Sequence, residues 1–189
     1  NPAFISTVSD LMLSDNSYAF YLIPMMKNIW SKANESSPIF FNENLIASFC
    51  NYLSFPYEVR SFVFEALDIL LKVLPNELNE SILNLLLSHN LFDSFTDFFQ
   101  QINSEFSDDS PIYLSKYLNL IYQLTLSPCL DRTTYTFLLS VTCTFLSDEK
   151  LAECRIIACK ILSRIIIELD GGESLLPIPD CFTSIILSH

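Results

Sequence analysis

Glycine is nearly absent: two residues in 189, adjacent at Gly171 and Gly172. Phosphate-cradling loops and the tight turns of sheet proteins need glycine where a Cβ would clash. That scarcity argues against a nucleotide-binding α/β fold and against an all-β fold. Histidine is as scarce, with only His89 and the terminal His189. The six cysteines (Cys50, Cys129, Cys143, Cys154, Cys159 and Cys181) include no C-x-x-C pair. A zinc site of short fixed spacing therefore lacks its ligands, and a hydrolase lacks the base that activates serine or cysteine. No metal and no cofactor is expected, and the chain is read as a non-enzyme. The cysteines are expected as buried thiols of an intracellular protein, cytoplasmic or nuclear.

Positive charge is also in short supply. Ten lysines and arginines face 22 aspartates and glutamates, a net charge of −12. Dividing the chain after Asp93 leaves −6 in each half, so the field is spread and not held in a tail. Such a surface repels phosphate backbones, which disfavours direct nucleic-acid binding, and it steers basic partners. The longest strongly apolar uncharged run, Thr133 to Leu146, has 14 residues. A spanning helix needs roughly 18 to 20, so no membrane segment is expected. The chain opens on Asn1-Pro2 without a signal peptide, which is expected of a piece of a longer protein or a processed one.

What the sequence has is apolar residues at helical spacing. Half of it is hydrophobic and 13% aromatic, which excludes disorder. The stretch L-I-A-S-F-C-N-Y-L from Leu45 matches stretches from Phe4, Leu91 and Leu138, and more weakly one from Cys181, at steps of 41, 46, 47 and 43 residues. Its first, second, fifth, eighth and ninth positions are mostly large and apolar, one face of an α-helix. A second motif, A-L-D-I-L-L-K-V-L from Ala66, recurs from Tyr117 and Ala158 and more loosely from Ala19, at steps of 47, 51 and 41. Two motifs drifting at one mean period mark an internal repeat.

Local chemistry places helix ends between the motifs. Ser14 to Asn16 breaks the first helix, with Asp15 or Asn16 capping the next. Pro56 and Pro111 sit as first-turn prolines, the latter behind a capping Ser110. Asp131 and Asp148 are expected N-caps, and Asn90 and Gly171-Gly172 the reversals. Pro24 is expected to kink or divide the second helix. A helix over 149–169 places Leu151, Cys154, Ala158, Ile161, Leu162, Ile165 and Leu169 on one side, with Cys159 and Ile166 widening it. Arg155 falls inside this apolar sector and is expected to snorkel or meet an acid. The acids Glu105, Asp108 and Asp109 read as a solvated insertion, since they lack the spacing of a calcium loop.

These residues resemble an armadillo-type repeat, with HEAT repeats as the near alternative. The armadillo unit has a short helix, a second opening on a pattern like G-a-l-p-x-L-v-x-L-L, and a long third carrying A-x-x-a-L. Asn90-Leu91-Phe92 through Phe99 resembles the second helix; Glu58 and Val59 through Ala66, Ile69 and Leu70 resembles the third. The resemblance implies an all-α, right-handed solenoid of about four stacked repeats. The whole of 1–189 forms one domain in this reading: a partial repeat over 1–55, repeats over 56–106 and 107–147, and a truncated one over 148–189. Nuclear import receptors of the importin type carry W-x-x-x-N on successive third helices. The matching pairs here are Glu65/Ile69, Lys116/Leu120 and Ile157/Ile161, and the single Trp30, with Asn34, lies out of register.

The expected function is an interaction scaffold that binds a protein or peptide along equivalent third-helix positions. The candidate contacts are Glu65 and Lys116, then Asp68, Asn119 and Lys160, then Lys72, Gln123 and Arg164. The alternative is a nuclear transport receptor or adaptor carrying basic cargo, steered by the net charge. Both ends of such a solenoid are apolar, so flanking repeats or end-to-end association are expected.

Overall fold

Apolar side chains recurring three and four positions apart set the helices, and short polar stretches end them. The structure is a computed structural model, which describes residues 2–33, 42–74, 76–89, 91–126, 130–147, 151 and 154–170. Among these it is all-α, with nine α-helices and no strand. They are α1 (Pro2–Ser14), α2 (Ala19–Ser31), α3 (Glu43–Asn51), α4 (Tyr57–Val73) and α5 (Asn76–Ser88), then α6 (Leu91–Ser104), α7 (Ser110–Thr125), α8 (Arg132–Ser147) and α9 (Arg155–Asp170). One-turn 3₁₀ segments precede α2 and follow α3.

The first motif lies on α1, α3, α6 and α8, and the second on α2, α4, α7 and α9. Burial follows the motif positions: Leu45, Ile46, Phe49, Tyr52 and Leu53 are all buried. The copy at Cys181 lies outside the described residues, as do Asn34, Asn90, Cys129, Asp148 and the Gly171-Gly172 pair.

Several helix ends match their chemistry. Asp15 Oδ1 accepts from the Ser17 amide at 2.8 Å, and Asp131 Oδ1 from the Thr134 amide at 2.8 Å. An asparagine that the sequence reading missed, Asn42, caps α3 by accepting from the Leu45 amide at 2.8 Å. Asn42→Ala is expected to cost about 1 kcal/mol, read from the denaturant midpoint.

Other ends differ from expectation. Pro24 does not divide α2, which runs through it. At the sixth helical position a proline removes a single ladder donor, and the surrounding packing holds the helix together. Pro56 stands one place before α4; its extended ψ of 152° keeps it outside, while its carbonyl accepts the first helical bonds from Val59 and Arg60. Ser110 is the first residue of α7 and not its cap. Its hydroxyl accepts from the Ser107 amide at 2.9 Å, while the Asp109 carbonyl opens the helix.

The chain divides into two compact units, 1–117 and 118–189. In the first, α1 packs on α3, α3 on α5, α2 on α4, and α6 on both α4 and α5. Its core centres on Phe64, whose ring lies 4.9 Å from Phe98, 5.5 Å from Phe95 and 5.7 Å from Tyr117. A second aromatic contact joins Trp30 on α2 to Phe49 on α3, edge-to-face at 5.5 Å. Trp30 is fully buried, so it is a core residue and not a surface reader.

In the second unit α8 packs on α9. Leu151, Cys154, Ala158, Ile161, Leu162 and Ile165 are buried, as the helical spacing predicts. Helix α9 starts at Arg155 and not at 149, and Leu151 and Cys154 before it are 3₁₀. Arg155 is half-buried there. Cys159 is exposed, contrary to the expectation of buried thiols, and Ile166 is 45% exposed. Apolar character sets the preference for burial, but a neighbouring element must supply the cover. Cys50, Cys143 and Cys154 are buried thiols as expected, and burial pushes Cys50 up to about 12.

Candidate interaction surface

Helix α2 buries Ala19, Ile23, Met26 and Trp30, one stripe spaced i, i+4, i+7 and i+11. With α4 packed beside it, Lys27 is left on the flank between the two helices. Helix α4 sends Val63, Phe64, Ala66, Leu67 and Leu70 into the core, so Phe62, Glu65 and Ile69 come out half-buried and Lys72 exposed. On α7, burying Leu114 and Tyr117 turns Lys116 back towards α4.

These placements meet at one carboxylate. Glu65 Oε1 lies 3.1 Å from Lys27 Nζ of α2, and Oε2 lies 3.1 Å from Lys116 Nζ of α7. The Lys116 ammonium also stands 5.1 Å from the centre of the Phe62 ring, a cation–π contact. Burial pushes the Glu65 carboxyl up, but the hydrogen bonds and charges of the two lysines outweigh it and hold it below its usual range. Glu65 is therefore an anion shared by two cations across three helices.

Asp68, one turn along α4, is in the opposite condition. It is 6% exposed, its Oδ2 is 2.6 Å from Lys72 Nζ, and its Oδ1 has no hydrogen-bond partner. Burial pushes its carboxyl up, Lys72 opposes that, and the nearby Glu65 adds to it. The expected surface position is thus corrected: Asp68 is a buried acid, satisfied in part by the lysine four residues on.

The two acids predict opposite pH behaviour. The folded state holds Glu65 below its ordinary value of 4.5, so its stabilisation is present above that value and lost as pH falls through the folded one. The folded state holds Asp68 above 3.8, so stability declines as pH rises from that value through the folded one. Denaturation across the acid range should show Glu65→Gln losing stability relative to wild type as pH rises, and Asp68→Asn gaining it. The same sign for both variants would contradict this pairing.

The other sequence candidates are placed differently. Asn119 and Gln123 are half-buried on α7, and Lys160 is exposed on α9. Arg164 pairs with Glu168 one turn along its own helix. Among the described residues these four share no hydrogen bond or ion pair with one another. Glu65, Asp68, Lys72 and Lys116 do come together, and Lys27 joins them without having been foreseen. Its helix carries the loosest copy of the second motif, whose 47-residue step sets Lys27 against Leu74 and not against Glu65.

Glu105, Asp108 and Asp109 are exposed between α6 and α7, in keeping with a solvated insertion. Among the described residues no group of three or more histidines, cysteines and acids gathers to hold a metal, and no helix is long and apolar enough to cross a membrane. At the other flank of α2, Phe20, Tyr21, Pro24, Met25 and Ile29 line a shallow groove of about 450 Å³. No family model, no curated protein and no solved structure matches this chain.

Proposed function

We propose that the chain is a non-enzymatic interaction scaffold, an armadillo- or HEAT-type α-solenoid that binds a protein or peptide partner along the α2–α4–α7 face. One observation carries the reading. Glu65 and Lys116 occupy equivalent positions of successive motif copies, and they are in contact. Stacked repeats bring equivalent positions of neighbouring helices side by side, and a partner can then bridge several of them at once. The alternation of α1 on α3 with α2 on α4 supports the same stacking. Half-buried Phe62 and Ile69 beside exposed Lys72 give the face a mixture of apolar and polar contacts.

The test replaces Ile69, half-buried on the face of α4, and leaves Lys72 in its pair with buried Asp68. Ile69→Glu is expected to abolish retention of the chain's cellular partner, with a cooperative thermal transition showing that the variant is folded. Thr96→Glu on the exposed side of α6 is expected to leave retention intact. Unchanged retention by the α4 variant would remove the binding face from α4.

A further inference from the structure

We infer that the α2–α4–α7 face takes an acidic segment of the partner, interspersed with apolar residues, whose carboxylates replace Glu65 between Lys27 and Lys116. This rests on the chain's being an interaction scaffold, and it runs against the basic partner that the net charge suggests. Its ground is the way charge is shared out among the helices of the first unit. Helices α1, α3, α5 and α6 carry Asp10, Glu43, Glu77, Glu80, Asp93 and Asp97, and not one lysine or arginine. All four lysines of that unit, Lys27, Lys32, Lys72 and Lys116, stand on α2, its C-cap, α4 and α7. Its one arginine, Arg60, is buried with its guanidinium bonded to Ser94 and Gln101 of α6.

Helix α4 adds Glu58, Glu65 and Asp68, so most of the unit's acids belong to other segments. Fields of exposed charges fade over about 8 Å at physiological ionic strength. A segment lying on this face responds to the lysines it touches more than to the net charge of −12.

Geometry supplies the rest. Two ammonium groups, from two helices, converge on one carboxylate at 3.1 Å each, so the face already holds a carboxylate between cations. The carboxylate belongs to a glutamate on a flexible stem whose side chain is 28% exposed. Ion pairs this open to water are weak and exchange readily with a carboxylate from outside. Once Glu65 swings out, Lys27 and Lys116 face the incoming acid uncompensated, while Lys72 stays anchored by buried Asp68. Phe62 and Ile69, three residues before and four after Glu65, lie on the same side of α4 and receive the segment's apolar side chains. A basic segment laid here would meet three ammonium groups against the two carboxylates of Glu65 and Asp68.

The test titrates the chain with a fluorescein-labelled peptide alternating glutamate and leucine, and with its counterpart in which lysine replaces glutamate, read by fluorescence anisotropy. The acidic peptide is expected to bind, more weakly as salt rises. Glu65→Gln removes the internal competitor and should tighten that binding by about fivefold. Lys27→Gln with Lys116→Gln should weaken it by about tenfold or more, and Lys116→Arg should leave it nearly unchanged. Thermal unfolding of each variant confirms that it is folded.

Affinity unchanged by the paired lysine substitutions, or lowered by Glu65→Gln, overturns the inference. So does stronger binding of the basic peptide or of a single-stranded oligonucleotide. Failure of wild type and Glu65→Gln to bind the acidic peptide overturns it too. The scaffold reading survives all of these while Ile69→Glu still abolishes partner retention, and falls if that retention is unchanged.

Discussion

Phe64→Ala is expected to destabilise the first unit by about 3–5 kcal/mol, the range for removing a fully buried phenylalanine. The Phe64 ring is 0% exposed and meets three other rings, those of Phe98, Phe95 and Tyr117. Phe98 and Phe95 belong to α6 and Tyr117 to α7, so one side chain joins three helices. Phe95 and Tyr117 are themselves in edge-to-face contact at 4.9 Å, which limits how far the walls can collapse into the space left behind. Phe64→Leu, which keeps part of the volume, should lose less than half as much. Denaturant unfolding gives both values, and a loss below about 1 kcal/mol for the alanine variant would show that this cluster is not the centre of the core. The effect reaches the surface as well. Tyr117 sits next to Lys116, so loosening it also loosens the hold of α7 on Glu65.

Arg60→Ala should cost a similar amount, about 3–5 kcal/mol, for a different reason. Arg60 is 6% exposed, and its guanidinium donates to the carbonyls of Phe55 and Ser94 and to Gln101 Oε1. Burial pulls its pKa down and the charge of Asp97 opposes that. The guanidinium also lies 5.9 Å from the Phe98 ring centre, linking it to the aromatic core. Alanine strips the Phe55 and Ser94 carbonyls of a donor and opens a cavity as long as the arginine stem. Arg60→Met fills the cavity but restores no donor, so it should recover only the packing part of the loss. If methionine equals wild type, the hydrogen bonds contribute nothing net. If methionine equals alanine, they contribute nearly everything.

The sequence carried the helices because burial obeys a period. Leu45, Ile46, Phe49, Tyr52 and Leu53 occupy the apolar positions of the first motif, and all are buried. Leu91, Phe95 and Phe98 repeat the outcome on α6. The period does not encode how far one helix slides along its neighbour. Lys27 and Lys116 are 38 and 51 residues from Glu65, and their convergence depends on that offset.

Polarity misled at Asp68, because a charge with a nearby partner tolerates burial, and Arg60 is buried on the same ground. Asp68 has Lys72 one turn away, and Arg60 has two carbonyls and an amide oxygen within reach. Cys159 and Ile166 show the converse. Their apolar character was plain from the chain, but cover must come from another element, and both are exposed.

The α2–α4–α7 face as the place of contact is tested most directly by site-specific photocross-linking. A photoreactive residue placed at Ile69, on the half-buried face of α4, is expected to form a discrete adduct with a protein or peptide partner in cells. The same residue at Thr96, exposed on α6, is expected to form none. Adducts from Thr96 and none from Ile69 would contradict the assignment of this face.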